Sequence, residues 1–173
     1  MTHSAPVSLV VMGVAGCGKS TLAAALAERL GDDWLEGDLF HSDSSRRKMA
    51  QGEPLTDQDR ASWLASLCEQ LQQRPGLLVT CSALKRAYRD QLRQASPGLR
   101  FVFLDIDRAE ASRRVSTRGS HFFAVSLIDS QFQTLETPVG EAGVIRLDGL
   151  KPIAELTAEV LDWLSQNQSQ AER

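Results

Sequence analysis

The residues Gly13-Val14-Ala15-Gly16-Cys17-Gly18-Lys19-Ser20 fit the pattern G-x-x-x-x-G-K-S. They follow the apolar run Val7–Met12 and open a helical stretch, Thr21–Leu30. A phosphate-binding loop needs that context of strand, glycine-rich turn and helix. The glycines let the backbone wrap until its N–H groups point inward at phosphate oxygens, and the helix dipole favours the same anion. Lys19 is positioned to reach the β- and γ-phosphates, and the Ser20 hydroxyl to bind Mg²⁺. The candidate nucleotide contacts are Gly13, Val14, Ala15, Gly16, Cys17, Gly18, Lys19, Ser20 and Thr21, with Ser20 as the metal ligand. Cys17 lies inside the loop, so thiol modification there is expected to block ATP.

The elements that must hold this loop are legible as alternating apolar and helix-period segments. Val7–Met12, Gly76–Cys81 and Leu99–Leu104 are short and nearly all apolar, as strands covered on both faces are. Trp34–Gly37 and Gly143–Leu147 are weaker strands. Helices are expected at Thr21–Leu30, Asp57–Gln73, Lys85–Gln94, Arg108–Arg118, Val125–Leu135 and Pro152–Ser165. Leu30-Gly31 reads as a C-cap, and Thr56 or Asp57 as an N-cap. Trp34, Trp63 and Trp163 are expected to anchor the core. The pattern predicts an α/β fold: a five-stranded parallel sheet flanked by helices on both faces, in one domain over residues 1–173. Ligands of such sheets bind at the carboxyl ends of the strands. The loop follows the first strand, Asp38 the second, and Ser82–Lys85 the third.

Composition narrows the partners. The net charge of −3 and a pI of about 5.6 argue against nucleic-acid binding through bulk charge. An anionic substrate must instead meet a few locally concentrated cations. Three cysteines with no metal-ligand spacing predict no structural disulfide and a cytoplasmic protein. No run approaches a membrane span, and residues 1–6 lack the form of a signal peptide.

A phosphate loop alone leaves a kinase, a GTPase switch and a motor ATPase open. Neither N-K-x-D nor T-K-x-D is present, and no acid ends the third strand at Val79-Thr80-Cys81-Ser82. A small kinase remains, holding ATP and an acceptor in line. Asp38 is the candidate base or acceptor-orienting group. Arg46, Arg47, Lys48, Arg60 and Lys85 are candidate cations for an anionic acceptor. Arg113, Arg114 and Arg118 flank Gly119 on a candidate lid, with at most one of the adjacent pair facing the site. His121-Phe122-Phe123 could close over a ligand or pack as a helix start.

Three blocks go beyond generic signals. Gly37-Asp38-Leu39-Phe40-His41, with Lys48-Met49-Ala50-Gln51-Gly52-Glu53-Pro54-Leu55-Thr56-Asp57-Gln58-Asp59-Arg60 and Trp63-Leu64, resembles the gluconokinases. So do Cys81-Ser82-Ala83-Leu84-Lys85-Arg86-Ala87-Tyr88-Arg89-Asp90, and His121-Phe122-Phe123 with Ser130-Gln131-Phe132-Gln133-Thr134-Leu135-Glu136. The resemblance covers roughly residues 7–165. It implies a fold like shikimate and nucleoside-monophosphate kinases, and transfer of the γ-phosphate of ATP to the terminal hydroxyl of D-gluconate. It implies an acceptor-binding segment over about 38–75 and a lid over about 114–135. Lys19, Asp38, Arg114 and Arg118 become the catalytic candidates. Asp38, His41, Lys48, Arg60, Lys85, His121 and Gln131 become the acceptor-side candidates. A homodimer is also implied.

The chain departs from the family where members usually carry H-P-x-x-N. Here the span reads His41-Ser42-Asp43-Ser44-Ser45, so Ser42 stands for Pro and Ser45 for Asn. Losing Pro is expected to loosen that turn. A kinase for a related sugar acid or polyol, and a nucleotide-binding regulator without catalysis, are the competing readings.

Overall fold

Alternation along the strands decides the layers. In β1 (Leu9–Met12), Leu9 and Val11 join one buried cluster while Val10 and Met12 join another. A strand's period of two dictates this split. The same division runs through β3 (Leu78–Thr80), with Leu78 opposite Val79, and β4 (Arg100–Asp105), with Val102 and Leu104 opposite Phe101 and Phe103. With β2 (Trp34–Glu36) and β5 (Val144–Asp148) they form one parallel sheet in the order β2-β3-β1-β4-β5. The structure is a computed structural model that describes residues 6–117 and 125–171.

Apolar stripes on the helices cover both faces. One side is packed by α1 (Lys19–Leu30), α5 (Arg108–Thr117), α6 (Val125–Thr134) and α7 (Ile153–Ala171), through Leu22, Leu26, Ala111, Val115, Ile128, Leu156 and Val160. The other is packed by α3 (Asp57–Gln73) and α4 (Arg86–Ala95), through Trp63, Leu64, Leu67, Leu71, Tyr88 and Leu92. Chain direction across the sheet reverses at β1, so a crevice opens at its carboxyl end. The phosphate loop lies there.

Two short elements escape the sequence pattern. Gly37–Phe40 forms a 3-10 turn, and α2 spans Asp43–Ala50. The residues of α2, Asp-Ser-Ser-Arg-Arg-Lys-Met-Ala, carry no apolar period by which a helix could be read. What starts it is Ser42. Its Oγ accepts from the Ser45 N–H at 3.1 Å and donates to Ser45 Oγ at 3.1 Å. Ser42 is thus an N-cap, so the entry expected to be loose without Pro is held by a cap of its own. Thr56 caps α3 in a capping box with Asp59, and Gly31 ends α1 in the left-handed region. Trp63 is a core anchor, while Trp34 and Trp163 are half-buried.

One buried ion pair ties the loops around the crevice together. Arg89 of α4 is 0% exposed. Its guanidinium donates to the carbonyls of Ala83 (2.7 Å), Leu84 (3.2 Å) and Glu136 (2.8 Å), and to both carboxylate oxygens of Glu141 (3.1 and 2.6 Å). Burial works against ionising Glu141, but hydrogen bonds from Arg89 and Arg93 outweigh it and hold its carboxyl below the usual value. Ala83 has φ 45°, a left-handed conformation uncommon for a residue with a side chain, and Arg89 fixes its carbonyl. Arg89→Ala leaves these acceptors and a buried carboxylate unpaired. The expected loss is about 3–5 kcal/mol of stability, read from urea denaturation against the wild-type protein.

Candidate active site

A cavity of about 820 Å³ opens above the carboxyl ends of β1, β2 and β3. Ala15, Gly16, Gly18, Lys19, Ser20 and Thr21 line it from the loop and the start of α1. Gly13, Val14 and Cys17 lie beneath that surface. Val14 and Cys17 are each 2% exposed, so the Cys17 thiol is not open to reagents as the sequence suggested. Lys19 Nζ folds back onto the carbonyls of Gly13 and Val14, at 3.1 Å each. Gly16 is needed for close approach: a Cβ there would sit 3.1 Å from the Ala111 carbonyl on α5.

Asp38 reaches the cavity through a rigid mount. Gly37 presses so close to β3 that a Cβ would fall 2.0 Å from the Thr80 carbonyl oxygen. The Gly37 N–H donates to Thr80 Oγ1 at 3.2 Å, and the Gly37 carbonyl accepts from Trp63 Nε1 at 2.8 Å. Thr80 Oγ1 in turn donates to Glu36 Oε2 at 3.2 Å. Asp38 follows with its side chain 70% exposed, facing the cavity. Its Oδ1 lies 3.8 Å from Nε2 of His41. The His41 ring stacks on Trp63 with centroids 4.4 Å apart, and its buried Nδ1 has no hydrogen-bond partner among the described residues. Burial lowers the His41 pKa, with Arg60 and Arg46 acting in the same direction against Asp38. The ring is therefore neutral at pH 7, offering one donor and one acceptor.

The expected cations divide sharply. Arg60 lines the cavity, with Nη1 donating to Tyr88 Oη at 3.3 Å. Lys48 and Lys85 are among the acceptor-side candidates, and the structure places neither on the cavity wall. Lys48 Nζ is held by Asp59 at 2.9 and 3.0 Å, and Lys85 Nζ by Asp57 at 2.9 and 3.2 Å. The Thr56 N–H, with Lys48, holds the Asp59 carboxyl down at about 2. Asp57 is lowered by its hydrogen bond from Tyr88 and then by Lys85. Both lysines are spent on the acids in the first turn of α3. Arg46 and Arg47 of α2 do line the cavity. Arg46 is tethered to the carbonyls of Leu39 (2.7 Å) and His41 (3.4 Å). The Arg47 side chain has no hydrogen-bond or ion-pair partner among the described residues.

Arg114 also differs from expectation. It braces the loop from outside the cavity, donating to the carbonyls of Gly16 (3.3 Å), Cys17 (3.4 Å) and Gly149 (2.9 Å). Glu110 binds both Arg113 and Arg114, which hold its carboxyl down at about 2. Arg118 and His121 lie outside the described residues. Gln131 lines the cavity, and its Oε1 accepts from the Ala15 N–H at 2.7 Å. Sequence reasoning missed Glu36 as a cavity carboxylate; its place next to Asp38 at a strand end was the available signal.

The mount under Asp38 is testable. Gly37→Ala must push β2 from β3, at about 1–3 kcal/mol, and carries Asp38 with it. Turnover should fall about 10²-fold, as expected for a displacement on the order of 1 Å, while the Lys19 side of the site still binds nucleotide. Steady-state kinetics and nucleotide titration check both.

Known proteins resemble this chain in sequence and in fold. A family model described as an AAA domain matches residues 9–138. The gluconokinase of Gluconobacter oxydans (strain 621H) is 48% identical over 151 residues, covering 84% of each chain. The thermoresistant gluconokinase of Escherichia coli (strain K12) is 39% identical over 158 residues, covering 88% of this chain and 90% of that one. A gluconokinase structure from Sinorhizobium meliloti 1021 superposes with a TM-score of 0.89 at 44% identity, covering 96% of both. Shikimate kinase from Bacteroides thetaiotaomicron, at a TM-score of 0.66 and 15% identity, shares the fold.

Proposed function

The chain belongs to the gluconokinase family, and we infer from its cavity how it phosphorylates D-gluconate with ATP, giving 6-phospho-D-gluconate and ADP. The observation that carries the mechanism is the shared wall: phosphate loop, Asp38, His41 and Arg60 face one volume. ATP lies with its phosphates on the loop and Lys19. Gluconate lies between Asp38, His41 and the arginines. Its carboxylate needs a cation, and its hydroxyls need mixed donors and acceptors. Arg60 supplies the first and neutral His41 the second.

In the reaction the terminal hydroxyl of gluconate forms a bond to the γ-phosphorus. The bond to the β,γ-bridging oxygen breaks, and ADP leaves with that electron pair. Asp38 orients the hydroxyl and takes its proton. Lys19 and the N–H groups of the loop meet the charge on the transferring oxygens. The Ser20 hydroxyl and the Glu36 carboxylate, both on the cavity wall, are hard oxygen donors that suit Mg²⁺. Mg²⁺, when bound, would offset the negative charge of the phosphates.

An acceptor segment over about 38–75, a lid over about 114–135, a homodimer and a cytoplasmic location complete the proposal. Among the described residues no helix is long and apolar enough to cross a membrane.

A coupled assay of ADP release tests it, with Mg-ATP and D-gluconate, other aldonates, shikimate, glycerate and simple polyols. D-gluconate should dominate; preferential turnover of another acid would redirect the reading to that acceptor. Asp38→Asn should lower kcat by about 10²-fold or more. Unchanged kcat with a raised KM for gluconate would reduce Asp38 to a binding group.

A further inference from the structure

The amide of Gln131 is oriented by what it touches. The Ala15 N–H can only donate, so the atom 2.7 Å from it is the acceptor end, Oε1. The Nε2 end therefore turns away from Ala15, and among the described residues it has no hydrogen-bond partner. Gln131 shares the cavity wall with Ala15, Lys19, Ser20 and Asp38. The nearby carbonyls of Gly13 and Val14 are already taken by Lys19 Nζ. Two unspent N–H donors thus stand beside the phosphate loop, at the end of the cavity that Asp38 shares.

The position is also fixed from behind. Gln131 belongs to α6, whose last turn continues into Leu135 N–H to Gln131 O at 2.8 Å and Glu136 N–H to Leu84 O at 2.8 Å. Arg89 clamps the Glu136 carbonyl at 2.8 Å. An amide held at its oxygen and along its helix has little freedom left to lose when charge develops near its nitrogen. Donors of that kind act mainly on the transition state, because they need no reorganisation during transfer.

We propose that Gln131 is a catalytic residue whose Nε2 donates to the γ-phosphoryl oxygens during transfer, rather than a reader of the acceptor's hydroxyls. The proposal rests on the ATP-dependent phosphorylation above. Charge on the transferring group spreads over its equatorial oxygens. Lys19 and the loop take part of it, and Gln131 covers the side facing α6.

The test separates the two ends of the amide. Gln131→Glu keeps an oxygen for Ala15 and removes the donors; Gln131→Met removes both. Steady-state kinetics with Mg-ATP and D-gluconate should show kcat lowered about 10²-fold in each, with KM for gluconate near wild type. Glu should be no better than Met. Binding of MgADP alone, which lacks the γ-phosphate, should match wild type in both variants and shows that each is folded. Near-wild-type kcat in Gln131→Glu would mean that only the Ala15 contact matters, and would overturn the proposal. So would a raised KM for gluconate with kcat preserved. Failure of the parent reading shows separately, as wild-type protein that does not turn over D-gluconate.

Discussion

Everything in this fold follows from having to bury β1 on both faces. Leu9, Val10, Val11 and Met12 are at most 1% exposed, so no side of that strand can face water. A parallel sheet with helices above and below is the layered solution that achieves this. It places β3 and β4 on either side of β1 and forces the chain to leave in opposite directions. The crevice at the switch point is then a geometric consequence, and the glycine-rich turn that caps β1 sits in it. Burial of apolar surface is non-directional. Here it nonetheless fixes where an anion can bind, because the loop's N–H groups inherit the strand's position.

Charge is then sorted by capping demand. The acids that begin α3, Asp57 and Asp59, each capture a lysine and so withhold its charge from an anionic ligand. Among the described residues, the cations left facing the cavity are Lys19 and the arginines Arg46, Arg47 and Arg60. Arginine suits that place, since its planar fork can hold a backbone or hydroxyl partner with one edge and a carboxylate with the other. Arg60, whose Nη1 donates to Tyr88 Oη, illustrates the division. An acidic protein can thus keep a locally basic pocket without any excess of positive charge overall.

Local signals were legible and long-range partnerships were not. The phosphate loop, the five strands, the bounds of α3 and the C-cap at Gly31 rest on neighbouring residues, which a sequence displays directly. Asp38, His41, Arg60 and Gln131 were found as cavity residues because strand ends and motif blocks mark them. Lys48 and Lys85 stand off the cavity wall because their partners decide their position. Asp59 lies 11 residues from Lys48, and Asp57 lies 28 from Lys85. Nothing beside Arg89 in the sequence marks it as buried. Its burial depends on Glu141, 52 residues away. α2 had no apolar period to reveal it.

The serines at the α2 entry show how a departure from a family pattern can be absorbed. Proline would restrict φ and contribute no hydrogen bond. Ser42 gives up that restriction but satisfies the Ser45 N–H, one of the donors any helix start leaves open. Ser45 itself is buried at 2% exposure, so its hydroxyl is committed to Ser42 rather than to the cavity. The pair is therefore a local exchange of one rigidifying device for another. The cavity-lining groups of this segment, His41 and Arg46, sit on either side of that exchange, His41 mounted on Trp63 and Arg46 on the carbonyls of Leu39 and His41. Acceptor preference should accordingly be set by those mounted groups and not by the identity of the residue that caps the helix.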